Sequence, residues 1–257
     1  MTKQSTAKGG GFNFSSGAGK VKVDTSVATS LGPRTAGRAS GLKVNKPFGL
    51  YAILTDPVLG YETCARAVVE EGVKYLQLRM KDTPKQAVLE TAIKLREITR
   101  GTDTLFIVND DVDIAMESDA DGVHLGQSDL SLSEARKIWT IQGKQFGLST
   151  HTEQEAKDAL QLKPDYIGVG PVFPTPTKAK PDPDIGLNRM GAIIKDCTLP
   201  AVAIGGINLD NLHQVLSHGA ENFCVVRAIT QSKEPRKAIQ KMMHIWKSYM
   251  NEKTENI

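Results

Sequence analysis

From residue 50 onward the sequence alternates short β-prone runs with helix-patterned stretches, and it does so eight times. The β-prone runs fall at residues 50–54, 73–78, 105–108, 122–125, 146–149, 166–169, 201–204 and 223–226. Helical patterns lie between them, at residues 64–71, 85–99 and 209–218 among others. Strands separated by helices predict a parallel sheet, because parallel neighbours must be joined by crossover connections. Eight such units in roughly 200 residues predict an α/β fold of one kind, a single (β/α)8 TIM barrel. A doubly wound open sheet would favour a glycine-rich turn after the first strand. That position reads Thr55-Asp56-Pro57-Val58 instead.

Helix punctuation agrees with the barrel. Ser131 with Glu134, and Thr152 with Glu155, have the spacing of capping boxes, while Gly72 and Gly219 suit the position just past a helix end. A closing helix is expected around residues 236–250. The chain has 257 residues, so this barrel, taken as residues 47–257, leaves a leader of residues 1–46. The leader carries eight basic residues and one acid, Asp24, and is crowded with Gly, Ser and Thr. Such a segment buries too little apolar surface to offset its ordering entropy, which predicts a flexible basic N-terminal extension.

The leader also explains the overall charge. Totals of 32 basic and 29 acidic residues give +3, yet the leader alone holds +7, which leaves the barrel at −4. No nucleic-acid partner is expected from that balance. No apolar run reaches the roughly 18–20 residues a membrane span needs. Three cysteines, Cys64, Cys197 and Cys224, form neither an even set nor a zinc spacing, and this points to a reducing compartment. A cytoplasmic location is expected, although the leader's hydroxyl-rich, acid-poor composition also fits an organelle transit peptide. The stretch Ser16-Gly17-Ala18-Gly19-Lys20 resembles a phosphate-binding loop only superficially, since Phe14 and Val21 stand where Gly and Ser or Thr are required.

In a barrel of this kind the chemistry sits where strands end. The second strand runs into Gln77-Leu78-Arg79-Met80-Lys81, where alternation puts Gln77, Arg79 and Lys81 on one face. Three polar side chains aimed inward are costly unless a polar ligand or solvent meets them. The third strand ends at Asn109-Asp110 and the fourth leads to Asp129. Two carboxylates from adjacent strand ends suit either helix capping or one hard cation with positions left for phosphate oxygens, for which Mg2+ is the natural candidate. Asp111 and Asp113 fit capping.

The fifth strand delivers Ser149-Thr150-His151-Thr152, a ligand donor at Ser149 and a cap at Thr152. His124 and His151 lack metal-ligand companions, and structural roles are expected for both. The sixth strand opens into Gly168–Lys178, whose prolines restrict the loop and whose Thr175, Thr177 and Lys178 offer donors to an anion. Residues 179–184 have the composition of a lid. After the seventh and eighth strands come Gly205-Gly206-Ile207-Asn208 and Val225-Val226-Arg227-Ala228, with Asn208 a candidate N-cap. Those glycines either permit a tight turn or let backbone N–H groups approach a phosphate. The pattern as a whole predicts two anion sites, one metal-assisted and suited to pyrophosphate, the other suited to a monophosphate.

The motifs from Phe48 to Ile229 together resemble the thiamine-phosphate synthase (thiamine-phosphate pyrophosphorylase) family. The resemblance rests on Gln77-Leu78-Arg79-x-Lys81, Asn109-Asp110, Gly122-Val123-His124-Leu125-Gly126-Gln127-x-Asp129 and Ser149-Thr150-His151-Thr152. It continues through Pro174-Thr175-Pro176-Thr177-Lys178, Gly205-Gly206-Ile207 and Val225-Val226-Arg227-Ala228-Ile229. It implies a transferase of thiamine biosynthesis that joins an aminopyrimidine methyl diphosphate to a thiazole phosphate with Mg2+. The resemblance further implies that Gln77, Leu78, Arg79, Met80, Lys81, Asn109, Ser149 and Lys178 hold the pyrimidine diphosphate. Among these, Lys178, Ser149 and Arg79 would be catalytic. Asp110 and Asp129 would hold the metal, while Thr175, Pro176, Thr177, Gly206, Val226 and Arg227 would bind the thiazole phosphate. Met80, Asp111 and Arg227 depart from the commonest family pattern without removing a ligand. The partners implied are phosphorylated small molecules, and a homo-oligomer is compatible with the family. A thiazole tautomerase built on the same barrel would have no use for the metal and diphosphate residues, and a non-catalytic phosphate-ligand sensor would not need so complete a site.

Overall fold

Every strand places alternate residues on opposite faces, and here both faces are apolar enough to be covered. The computed structural model describes residues 46–177 and 182–255, and within them eight parallel strands close into a barrel in sequence order. The strands are β1 Gly49–Leu54, β2 Tyr75–Leu78, β3 Leu105–Asn109, β4 Gly122–Leu125, β5 Gln145–Thr150, β6 Tyr166–Val169, β7 Ala201–Ala203 and β8 Asn222–Val225. Closure is made by β1, which pairs with β2 on one side and β8 on the other, Tyr51 lying in register with both Tyr75 and Cys224. The (β/α)8 TIM barrel expected from the alternation is the fold observed. The basic leader, apart from Lys46, lies outside the described residues.

Helices follow the strands: α1 Tyr61–Glu70, α2 Lys85–Thr99, α3 Val112–Glu117, α4 Leu132–Ile138, α5 Glu153–Leu162, α6 Gly186–Asp196, α7 Leu212–Ser217, a short α8 Arg227–Thr230, and α9 Pro235–Glu255. Among the described residues, no helix is long and apolar enough to cross a membrane. The Ser131–Glu134 capping box is complete at the start of α4. Thr152 caps α5 by accepting from the Glu155 N–H, but the Glu155 carboxylate turns instead to His151, accepting from its N–H at 2.7 Å. That box is therefore half formed, because His151 offers Glu155 both a backbone and an imidazole partner. Asn208 also corrects an expectation. Its side chain accepts from the Asp210 N–H at 2.8 Å, forming a turn ahead of α7, whose N-cap is Asn211.

Two apolar cores result. Outward residues such as Leu50, Leu76, Phe106, Val123, Leu148 and Phe223 pack against the helices. Inward residues fill the barrel itself: Phe48, Tyr51, Ile53, Tyr75, Ile107, Tyr166, Val202 and Cys224. Tyr51 stacks on Tyr75 with centroids 5.1 Å apart, and Tyr166 lies against both. Each such ring contributes roughly 1.5–3 kcal/mol through burial alone. Room for them comes from glycine: a Cβ on Gly147 would lie 2.3 Å from the Tyr166 ring and 2.5 Å from His124 Nδ1. The aromatic plug closes the barrel interior below, so a ligand can enter only above it, at the carboxyl ends of the strands.

Candidate active site

Above the plug lies a cavity of about 310 Å³. The sequence-predicted Gln77, Arg79, Asn109, Ser149, Thr175, Pro176, Thr177, Gly206, Val226 and Arg227 all line it. They come from six strand ends, which is why sequence separation of up to 150 residues does not keep them apart. Two parts of the wall are distinguishable. Arg79 and Asn109 stand toward β2 and β3, and the Thr175–Thr177 loop with Gly206 and Arg227 stands toward β6, β7 and β8.

Local bonding fixes each group. Arg79 is held at its backbone, its N–H donating to the Leu54 carbonyl at 2.9 Å and its own carbonyl accepting from the Thr55 hydroxyl. The loop after β6 is zipped to the loop after β7, with Val172 N–H donating to Ile204 at 2.8 Å and Phe173 N–H to Gly205 at 3.1 Å. That pairing sets Thr175, Pro176 and Thr177 beside Gly206, and Thr175 accepts at its hydroxyl from the Thr177 N–H at 3.4 Å. Lys178 lies outside the described residues, as does half of the candidate lid, of which Asp182 to Asp184 are described.

Leu78 and Met80 sit differently from their neighbours. Leu78 is buried in the outer core and Met80 packs against the same core, so neither side chain faces the cavity and only their backbone can serve it. Alternation accounts for this, since residues 77 and 79 take the inward face. Lys81 also stands outside the cavity wall and pairs instead with the Asp110 carboxylate.

Asp110 and Asp129 come together at the rim. Asp110 adopts the left-handed backbone region at φ 64°, and its N–H donates to the His124 carbonyl at 2.8 Å, which anchors the end of β3 to β4. Asp129 accepts at Oδ2 from the Gly126 N–H at 2.7 Å, folding its loop back toward Asp110. The Asp110 carboxyl has a raised pKa: burial pushes it up, Lys81 pulls it down, and the adjoining Asp129 carboxyl pushes it up again. The Lys81 ammonium therefore offsets only part of what raises the Asp110 carboxyl, and a further cation beside it would favour the ionised form. Oxygen donors alone suit Mg2+. Among the described residues, no group of three or more His, Cys, Asp or Glu is gathered as a metal ion would need.

Asp111 does what capping predicts, accepting from the Ile114 N–H at 3.1 Å at the head of α3 and pairing with Lys85. His151 is bracketed by Glu155 and Asp182. One cavity-lining position was not read from the sequence. His124, expected to be structural, lines the cavity and lies 2.9 Å from the Ser149 hydroxyl. Its place at the inward position of β4, directly between Gly122 and Gly126, was the available signal. The apolar wall of Ile53, Ile204 and Cys224 was equally unmarked in the sequence.

Comparison with known proteins gives a consistent picture. The family model described as thiamine monophosphate synthase matches residues 50–229. A thiamine-phosphate synthase from Dictyoglomus turgidum is 37% identical over 217 residues, covering 82% of this chain and 96% of that protein. One from Shouchella clausii is 39% identical over 201 residues, covering 77% of this chain and 96% of its own length. Among solved structures, a thiamine phosphate pyrophosphorylase from Pyrococcus furiosus superposes with a TM-score of 0.73 at 33% identity, covering 80% of this chain and 98% of that one.

Proposed function

The chain belongs to the thiamine monophosphate synthase family, and from that premise we propose that it is a transferase of a pyrimidinylmethyl group. Its substrates would be 4-amino-2-methyl-5-(diphosphooxymethyl)pyrimidine and 4-methyl-5-(2-phosphoethyl)thiazole or its carboxylate form, and its products thiamine phosphate and pyrophosphate. The observation that carries the reading is Gln77. It is 1% exposed, yet its carbonyl Oε1 has no hydrogen-bond partner although the residue lines the cavity. A buried acceptor left unmade costs roughly 1–3 kcal/mol, and the amino group of such a pyrimidine would satisfy it.

The reaction needs neither a protein nucleophile nor a strong base. The methylene carbon–oxygen bond breaks, pyrophosphate departs with the electron pair, and the thiazole nitrogen supplies the pair for the new carbon–nitrogen bond. The electron-rich aminopyrimidine stabilises the cation in between, so the step is dissociative. The protein's part is to neutralise the leaving group and align the acceptor. Arg79, Lys81, Asn109 and Lys178 would hold the diphosphate, Ser149 would face the pyrimidine, and the Thr175–Thr177 loop with Gly206, Val226 and Arg227 would hold the thiazole phosphate. Asp110 and Asp129 would hold Mg2+, which when bound offsets the charge developing on the diphosphate.

Purified protein supplied with both substrates should release thiamine phosphate and pyrophosphate only when Mg2+ is present. Folded protein that forms no thiamine phosphate under these conditions would overturn the assignment. Lys178→Ala should reduce turnover by about a hundredfold with little change in folding. The catalytic unit is the barrel, so a chain lacking residues 1–46 should keep its turnover.

A further inference from the structure

Below the cavity floor, five side chains from five strands form one hydrogen-bonded row. Gln77 Nε2 donates to the Tyr51 hydroxyl at 2.9 Å, Tyr51 and Tyr166 share a hydroxyl–hydroxyl contact of 2.7 Å, Tyr166 meets His124 Nδ1 at 3.2 Å, and His124 Nε2 meets Ser149 Oγ at 2.9 Å. The row runs from β2 through β1, β6 and β4 to β5. Both of its ends, Gln77 and Ser149, face the cavity, while the tyrosine rings belong to the plug beneath.

A row of this kind has a direction, and one member sets it. An amide nitrogen only donates, so Tyr51 accepts from Gln77, and its own proton is then free to pass to Tyr166, a contact that either hydroxyl can donate. With that direction Tyr166 would donate to His124 Nδ1, which would leave the imidazole proton on Nε2, pointing at Ser149. Ser149 would accept there and keep its own proton for the cavity. The opposite direction would present an amide N–H at Gln77 and leave Ser149 with no proton to give.

We propose that Tyr51 and Tyr166 are positioning residues that fix the direction of this row, so that the cavity offers an acceptor at Gln77 Oε1 and a donor at Ser149 Oγ. That pattern selects a heterocycle presenting an N–H group on one edge and a bare ring nitrogen on another. It rests on the pyrimidine substrate proposed above and specifies how that ring is told from its 4-oxo counterpart, which presents the opposite groups. Burial pushes both phenols well above the ordinary tyrosine range, so they remain proton donors throughout the working pH of such an enzyme. Stacking on Tyr75 and contact with Gly147 deny the rings room to turn away.

Two measurements test this, the first without any substrate. In the full chain labelled with 15N-histidine, His124 should carry its proton on Nε2 with Nδ1 bare, and Tyr166→Phe should convert it to a mixture of tautomers. A native His124 protonated on Nδ1, or tautomer populations unchanged in Tyr166→Phe, would overturn the proposal. The second compares kcat/KM for the 4-amino and 4-oxo forms of the pyrimidinylmethyl diphosphate. Tyr51→Phe frees the Gln77 amide to rotate, so preference for the 4-amino form should fall by about tenfold or more. An unchanged preference overturns the proposal. Failure of the native enzyme to turn over either compound would count against the proposed reaction, while the histidine spectrum would still decide the direction of the row.

Discussion

Asp129 Oδ2 accepts a 2.7 Å hydrogen bond from the backbone N–H of Gly126, so the residue that begins the loop after β4 orients a carboxylate farther along it. A Cβ at position 126 would lie 2.9 Å from the same oxygen. Gly126→Ala should push the carboxylate off its line while leaving the barrel intact. The Mg2+ concentration for half-maximal activity should rise severalfold with little change in Tm. Asp129→Asn should lower kcat by about a hundredfold, as expected for loss of one well-placed charge at a reacting diphosphate. A Mg2+ titration of both variants checks this.

The ionised Asp110 carboxylate costs the fold stability. Its carboxyl pKa is raised, chiefly by burial, with Lys81 opposing and Asp129 adding to the shift. A carboxyl whose folded pKa lies above its unfolded value is destabilising once ionised, and that penalty fades as pH falls through the folded pKa. Asn also tolerates the left-handed backbone found there. In metal-free buffer near neutral pH, Asp110→Asn should therefore melt at a higher temperature than the parent chain while catalysing far more slowly. Calorimetry paired with turnover would expose the opposite outcome, a lower Tm.

Gly206 combines a positive φ of 65° with close neighbours: a Cβ would meet Phe173 Cβ at 2.7 Å and the Pro174 carbonyl at 2.8 Å. Gly206→Ala should displace the loop that carries Thr175 and Thr177. The expected result is a KM for the thiazole phosphate raised by about tenfold or more, with a smaller effect on the pyrimidine diphosphate. Strain of this kind costs on the order of 1–3 kcal/mol, so the variant should still fold. Equal changes in both KM values would mean the loop serves the two substrates alike.

Far from the site, Glu71 just past α1 accepts from Arg236 and from Gln240 of α9, clamping the final helix over the first. Arg236 holds the Glu71 carboxyl below its ordinary pKa. A depressed carboxyl stabilises the fold above its unfolded pKa and loses that contribution as pH falls through the folded one. Glu71→Gln should thus lower Tm slightly at pH 7, with the difference from the parent closing in acid. Melting curves across pH would reveal a constant gap if the charge is irrelevant.

Much of this molecule was legible along the chain. Residues 85–99, 122–125 and 166–169 formed the elements their patterns predicted, because helix and strand periods are properties of neighbouring residues. Gln77, Arg79, Asn109 and Ser149 gathered in one cavity because the strand ends of a closed parallel barrel converge there, while Lys81 and Asp110 pair outside its wall. Where reading faltered, a residue had two competing partners. Glu155 fits a capping box with Thr152 by spacing, yet His151 outbid Thr152's backbone. Asn208 fits an N-cap, yet its side chain closes a turn on Asp210.

Sequence by itself determined the barrel, its chain order and many of the polar groups around the cavity, since each follows from local periodicity and from rules of connection. Tertiary structure alone decided what those groups can do. Leu78 and Gln77 differ in role because one faces helices and the other faces the plug. Asp110 and Asp129 became a shared charge site only when two loops met. His124 acquired its partners from β5 and β6, 25 and 42 residues away. A hydrogen bond has direction as well as length, and that direction is settled by whatever lies across the barrel, which no single stretch of sequence contains.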